Sequence, residues 1–410
     1  MIVQAFRAGP PGAEFWVIHL WAKKSMYEVR SLLSGFACCS IHQAMVQFGF
    51  AYGSMFKPEL QIVIEETWKY MEQQVIDAIE SFNFPTWLND AIANFGLEVA
   101  LGLTYDWTKD YTTPGYYDEL HGIADAAGLN YTHLRDIMLI GSLTQGDCSM
   151  YGSWGAASAD GKTLQLRALD WDTENPAVSY PAVVVYHPLD AALGHAFANV
   201  GFIGWTGTLT GQNEHQVAVS EIGVSFPDDT FGNMSRVGVP FTYLLRDILQ
   251  FDTTLAAARE RITSAHRTCD LILGVGDGKA EMVNVVQYSS SVANFFNDTN
   301  LQPLNATWHP RIKNMVYEGM DWDCPAYQKA LHDQLQAHWG QLTPENTIAN
   351  VTANVQTGDV HLAVYDLTDQ NMYVSFMRPK NSTAGAQYAY QRPFTKLDLT
   401  RLFQEPAPSS

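Results

Sequence analysis

The sequence has few cysteines, few basic residues and no long apolar run, and each shortage excludes a class of protein. Five cysteines in 410 residues are too few for a disulfide scaffold, and none forms the CxxC pair of a zinc site. Only 24 lysines and arginines face 43 aspartates and glutamates, so no nucleic-acid partner is expected, because phosphate binding needs clustered positive charge. No apolar run reaches the roughly 18 residues of a membrane span, so we expect no transmembrane segment.

Apolar residues make up 47% of the chain and charged residues 16%, a balance that supports a large buried core. Before residue 147 the apolar residues recur at the three- and four-residue spacing of helices. After it, short alternating runs typical of strands dominate. The chain is therefore divided into a mostly helical N-terminal region, 1–147, and a strand-rich domain, 148–410.

The first two strands of that domain flank Asp160-Gly161, a hairpin signal. A two-residue turn there would set Cys148 opposite roughly Thr173. Helices follow, and a terminal pair of strands closes the chain between 360 and 377. This order predicts an α+β protein in which stacked antiparallel sheets are covered by helices.

The hairpin would bring one thiol, one guanidinium and one carboxylate together, those of Cys148, Arg167 and Asp170. A thiolate is a strong nucleophile, a nearby cation lowers the pKa of the thiol, and a carboxylate can orient a nucleophile or hold an amine. The alternative is structural: a buried cysteine that acts as a small apolar residue, beside an ordinary surface ion pair.

A strand opened by a cysteine and followed about nineteen residues later by Arg-x-x-Asp-Trp, here 167–171, resembles the N-terminal-nucleophile cysteine hydrolases. The nearest likeness is the acid ceramidase-like and penicillin acyltransferase-like branch, which is related to N-acylethanolamine acid amidase and choloylglycine hydrolase. It runs through most of 148–377. The resemblance implies a four-layer αββα sandwich of antiparallel sheets with a helical N-terminal region before the nucleophile.

In the resembled family the chain is a precursor that its own cysteine cuts, and the freed α-amino group becomes the general base. Carried over, the cut falls between Asp147 and Cys148 and gives an α-chain of 147 residues and a β-chain of 263, a processed α/β heterodimer from one precursor. Asp170 would hold the new amino group, and Arg167 would bind a substrate oxygen. The chemistry requires neither a metal nor an organic cofactor.

The resemblance also implies the remaining site residues. The family often has a Thr-Asn pair late in the chain, and Asn300 is the nearest match, either as a donor to the oxyanion or as a plain turn residue. Asn213 and Glu221 match strand positions near the family's substrate pocket, and Trp171 could line an acyl-chain slot. One departure is that alanine, not asparagine, follows the arginine.

The function implied is that of a self-processing amidohydrolase. It would cleave the linear amide of a small N-acyl lipid, such as a ceramide or an N-acylethanolamine, through a thioester acyl-enzyme. Three alternatives stay open: an acyltransferase, a phospholipase B-like esterase on the same site, and a catalytically silent glycosylated binding protein.

Glycosylation sequons point to a lysosomal or secreted protein, although residues 1–24 show no evident signal peptide. In that compartment Cys269 and Cys324 could pair. Chance sequons in a cytosolic protein are the alternative. The sequons are six, at Asn130, Asn233, Asn297, Asn305, Asn350 and Asn381.

Overall fold

The computed structural model describes residues 2–22, 37–78, 96–140, 147–224, 226 and 235–408. The predicted helical N-terminal region is confirmed within these ranges. Its helices are α1 Ala37–Met55, α2 Lys57–Ala78, α3 Leu97–Thr108, α4 Tyr116–Ala127 and α5 Tyr131–Ile140. Helix α4 ends at Gly128, whose φ of 71° is the left-handed cap that favours glycine.

The N-terminal region also contains a β-hairpin that the sequence did not reveal. Strands β1 Ile2–Ala8 and β2 Phe15–Ala22 pair antiparallel, and β2 runs parallel to β5 Pro181–Pro188. A parallel partner so far along the chain leaves no local signal in the sequence. The N-terminal region thus supplies part of the main sheet as well as the helices.

Within the described ranges two sheets form the centre of the protein, one of nine strands in the order β1-β2-β5-β6-β7-β8-β9-β10-β11 and one of six in the order β12-β3-β4-β13-β14-β15. All strand pairs in these ranges except β2 with β5 are antiparallel. The remaining strands are β3 Asp147–Gly155, β4 Gly161–Asp170, β6 Phe197–Phe202, β7 Thr210–Asn213, β8 Val217–Gly223, β9 Leu271–Asp277, β10 Met282–Tyr288, β11 Ala293–Phe296, β12 Met315–Gly319, β13 His361–Asp366, β14 Asn371–Phe376 and β15 Thr395–Asp398.

Helices cover the outer faces of both sheets. Helix α6 Phe241–Phe251 and the N-terminal helices share one apolar cluster with the nine-stranded sheet, whereas α8 Pro325–Ala337 packs on the six-stranded sheet. Helix α7 Leu255–Ser264 follows α6, and the chain closes with α9 Leu399–Gln404. This is the predicted αββα sandwich. No helix in the described ranges is long and apolar enough to cross a membrane.

The register of the β3–β4 hairpin differs from the prediction. Cys148 lies opposite Leu169, not Thr173, because the connection is a loop over 156–160 with an irregular register between Ser153 and Gly155. A two-residue turn at Asp160-Gly161 was therefore wrong. In the observed register Asp170 lies directly opposite Asp147, at the open end of the hairpin.

Candidate active site

Cys148 lies at the start of β3, on the inner face of the six-stranded sheet, which is the face turned toward the nine-stranded sheet. Alternate residues of a strand share a face, and Met150 lies against the other sheet, since a Cβ built on Gly274 would stand 2.4 Å from its Cε. Cys148 therefore points between the sheets, and its side chain is 1% exposed. Leu169 and His361 lie beside it in the same row across β4 and β13.

Arg167 lies in the next row of the same inner face, opposite Met150. It is fully buried, and its Nη2 lies 3.2 Å from Oε2 of Glu221 on the facing sheet. Its Nε and Nη1 are buried with no hydrogen-bond partner among the described residues. Diagonal neighbours on a sheet are within reach of long side chains, and the charge of Arg167 lowers the pKa of the Cys148 thiol, so the guanidinium lies near the sulfur.

Asp170 is held by backbone and hydroxyl donors at the start of β13. Its Oδ1 accepts from the backbone N–H of Gly358 at 2.7 Å and of Asp359 at 2.8 Å, and its Oδ2 accepts from Thr357 Oγ1 at 2.7 Å. Burial raises the pKa of Asp170, while these bonds and Arg167 favour its charged form. Because Asp170 pairs with Asp147, the residue that carries this carboxylate lies across from the Asp147–Cys148 peptide bond.

The surroundings of the thiol oppose its ionisation in the uncut chain. Burial raises the pKa of Cys148 to about 12, Arg167 lowers it, and Glu221 and Asp170 raise it again. Burial also raises the pKa of Glu221, and its pairing with Arg167 offsets part of that rise. The thiol therefore stays protonated near neutral pH unless a base is supplied.

The sequence reasoning missed two features of this site. The first is the Thr357–Asp359 turn that holds Asp170; a Thr-Gly-Asp run directly before a strand is the signal that could have revealed it. The second is His361, which is fully buried, bonded through Nε2 to Thr210 Oγ1 at 2.9 Å, and kept neutral because burial and Arg167 lower its pKa.

Asn300 is not brought to the thiol. It is exposed, its amide donates to the carbonyl of Phe295, and its Oδ1 accepts from the backbone of Asn297 at 2.7 Å. These hydrogen bonds join it to residues 295 and 297, at the end of β11, and none of the described contacts joins it to Cys148. The structure gives it the turn role that was the alternative, because a short loop satisfies its backbone through the nearest amide side chain.

Asn213 and Trp171, which were predicted with Glu221 to lie near the substrate, have different surroundings. Asn213 is buried, donates to the carbonyls of Leu249 at 3.1 Å and Asp252 at 2.8 Å, and so fastens a strand end to α6 rather than facing the thiol. Trp171 is partly buried and packs against the apolar cluster that contains Cys148. It stays a candidate for substrate contact.

The predicted sequons and thiols have the following positions. Cys269 and Cys324 carry free thiols, so the pairing considered for them is not formed. Within the described ranges no group of three or more His, Cys, Asp or Glu side chains is arranged to hold a metal ion.

Asn233 lies outside the described residues; the other sequons are exposed at Asn130 and Asn381 and partly buried at Asn297, Asn305 and Asn350.

Solved structures that are similar to this chain include an N-acylethanolamine-hydrolyzing acid amidase ortholog from Caenorhabditis elegans. It is 15% identical over 54% of this chain and 93% of that chain, with a TM-score of 0.41. A penicillin V acylase from Agrobacterium tumefaciens is 13% identical over 57% and 84% of the two chains, with a TM-score of 0.40.

The chain belongs to the family of the Dictyostelium discoideum proteins dcd1A and dcd1B. Protein dcd1A is 32% identical over 377 residues, which cover 88% of this chain and 84% of the relative. Protein dcd1B is 30% identical over 375 residues, covering 88% and 74%. No protein-family model matches the sequence.

Proposed function

We propose that this protein is a self-processing cysteine amidohydrolase that cleaves the linear amide of a small N-acyl lipid. One observation carries the proposal: a buried guanidinium with two unpartnered donors, that of Arg167, shares an inner sheet face with the Cys148 thiol. A structural arginine of the core would have its donors satisfied, because an unpaired buried donor costs about 1–3 kcal/mol.

Processing comes first in the proposed sequence. The sulfur of Cys148 attacks the carbonyl carbon of Asp147, the amide nitrogen of Cys148 leaves with a proton, and a thioester joins the two residues. Water then hydrolyses the thioester to a carboxylate on Asp147 and a free thiol. The product is a new α-amino group on Cys148, located where Asp170 pairs with Asp147.

The new amino group supplies the base that the buried thiol lacks. An unperturbed α-amino group has a pKa of about 7.7–8.0, so it can take the thiol proton and pass it to the leaving amine. The thiolate attacks the substrate carbonyl, and the free donors of Arg167 stabilise the negative charge that develops. Water releases the acid from the thioester.

Intact mass analysis tests the proposal most directly. We expect the wild-type protein to give two masses, those of the chains produced by a cut between Asp147 and Cys148. Cys148→Ala should give the single mass of the uncut chain and have no amidase activity. Cys269→Ala is the matched control, because Cys269 is also buried and burial also raises its pKa to about 12, while its hydrogen bond is with Thr268. A wild-type protein that stays uncut and still hydrolyses N-acyl substrates would refute the mechanism.

The heterodimer is expected to persist after the cut. Besides the β2–β5 pairing, Glu119 of α4 forms a buried ion pair with Arg246 of α6, with Oε2 and Nη2 2.6 Å apart. Truncating one partner of such a pair strands a buried charge, which costs about 3–5 kcal/mol. Size-exclusion chromatography after processing should give one peak that contains both chains.

A further inference from the structure

Asp359 forms a reciprocal connection with the strand that ends at Asp170. Its backbone N–H donates to Oδ1 of Asp170 at 2.8 Å, and its own Oδ1 accepts from the backbone N–H of Trp171 at 3.0 Å. Each of the two carboxylates thus fixes the backbone next to the other. The next residue continues the sheet, since the N–H of Val360 donates to the carbonyl of Leu169 at 3.0 Å.

Among the residues that the structure describes, the titratable groups that face Asp359 come from three elements. Asp170 approaches from the end of β4, Tyr327 from α8, and Tyr390 from the segment after β14. Arg167 acts on Asp170, the member of the pair whose charge also raises the pKa of the Cys148 thiol. Two carboxyl groups therefore share one site. Backbone N–H groups favour the charged form of both, and Asp170 has in addition a hydroxyl donor and the charge of Arg167.

We propose that Asp359 is a positioning residue of the catalytic site, which holds Asp170 against the amino end of Cys148 and does so productively only in its protonated form. The inference rests on the proposed function. It assigns to Asp359 no contact with substrate, and it links the charge of the carboxyl pair to the state of the new amino group.

The expected pH dependence follows from the order in which the two carboxyls ionise. Burial and the charge of Asp170 raise the pKa of Asp359 to about 7, whereas three hydrogen bonds and Arg167 favour a charged Asp170. Below that value the pair carries one negative charge. Above it the second charge stabilises the protonated α-amino group of Cys148, which then cannot accept the thiol proton, so the rate falls on the alkaline side.

Asp359→Asn tests this because the amide oxygen can still accept from Trp171 while the charge is removed. We expect the ratio of kcat/KM at pH 8 to that at pH 5.5 to rise by about threefold or more relative to wild type, with cleavage at Cys148 intact. Glu174→Gln is the matched control: Glu174 is exposed and paired with Lys380, so its loss should leave the ratio unchanged.

A second readout does not need substrate. In the processed protein, iodoacetamide should alkylate Cys148 faster in Asp359→Asn than in wild type above pH 7, and equally fast below it, as measured by peptide mass. Asp359→Ala, which also loses the bond to Trp171, should lower kcat at every pH with little change in KM.

The proposed function and the role of Asp359 can be refuted separately. Wild-type protein that is neither cut nor active would overturn the proposed function and this inference with it. Wild-type protein that is cut and active, with pH profiles and alkylation rates that superimpose on those of Asp359→Asn, would overturn the role of Asp359 alone.

Discussion

Replacing Arg167 with methionine separates its contribution to stability from its contribution to the reaction. Methionine fills a similar volume without charge, so the change leaves Glu221, whose side chain is 8% exposed, without its buried counter-ion. Removing one partner of a buried ion pair costs about 3–5 kcal/mol of the free energy of unfolding. The double variant Arg167→Met/Glu221→Leu should recover most of that loss, because no buried charge remains unpaired.

The cost of Arg167→Met should depend on pH in a defined direction. Burial already raises the pKa of Glu221, and loss of Arg167 removes the effect that lowers it. Since the folded-state pKa then lies above the unfolded value of about 4.3, the penalty is absent at low pH and grows as pH rises from that value. The variant should therefore be less destabilised at pH 5 than at pH 7.

Urea unfolding at the two pH values measures the stability, and fatty acid release from a fluorogenic N-acyl substrate measures turnover. We expect both Arg167→Met and the double variant to have lost turnover by about 10²-fold or more, or about 2.7 kcal/mol of barrier. A loss of less than about 1 kcal/mol of stability in Arg167→Met would refute the buried-pair reasoning. Near-wild-type turnover in the stable double variant would remove Arg167 from the reaction.

The remaining predictions concern the carboxylate that holds the new amino group, the compartment, and a buried pair of histidines. Asp170→Asn should keep the shape but lower turnover by about 10²-fold, measured on protein already shown to be cut, with little change in melting temperature; equal turnover would return Asp170 to a structural role. Endoglycosidase should reduce the mass of protein from its native host, and an unchanged mass would argue for a cytosolic protein. Burial lowers the pKa of His19 to about 4 and of His187 to about 3, so their contribution to stability is lost as pH falls from about 6.5; His19→Phe should flatten that part of the pH–stability curve.

The sequence by itself predicted the elements whose signals are local. Apolar residues at helical spacing predicted a mostly helical region before residue 147, where α4 and α5 lie on either side of Gly128, whose left-handed cap favours a residue without Cβ. The Asp160-Gly161 signal predicted that β4 pairs with the cysteine strand, and the runs between 360 and 377 predicted the pair formed by β13 and β14. The residue types Cys, Arg and Asp indicated thiol chemistry, since few other roles require a cation and a carboxylate beside one sulfur.

Only the tertiary structure decided what depends on contacts between distant segments. The β1–β2 hairpin is fixed by parallel pairing with β5, and no spacing within residues 2–22 encodes that partner. Asn300 and Asn213 have the same side chain, yet Asn300 forms hydrogen bonds in a surface turn, whereas Asn213 binds a strand end to the end of α6. Asp359 enters the site because β13 pairs with β4, and its protonation state depends on burial beside Asp170, a property that a linear sequence does not display.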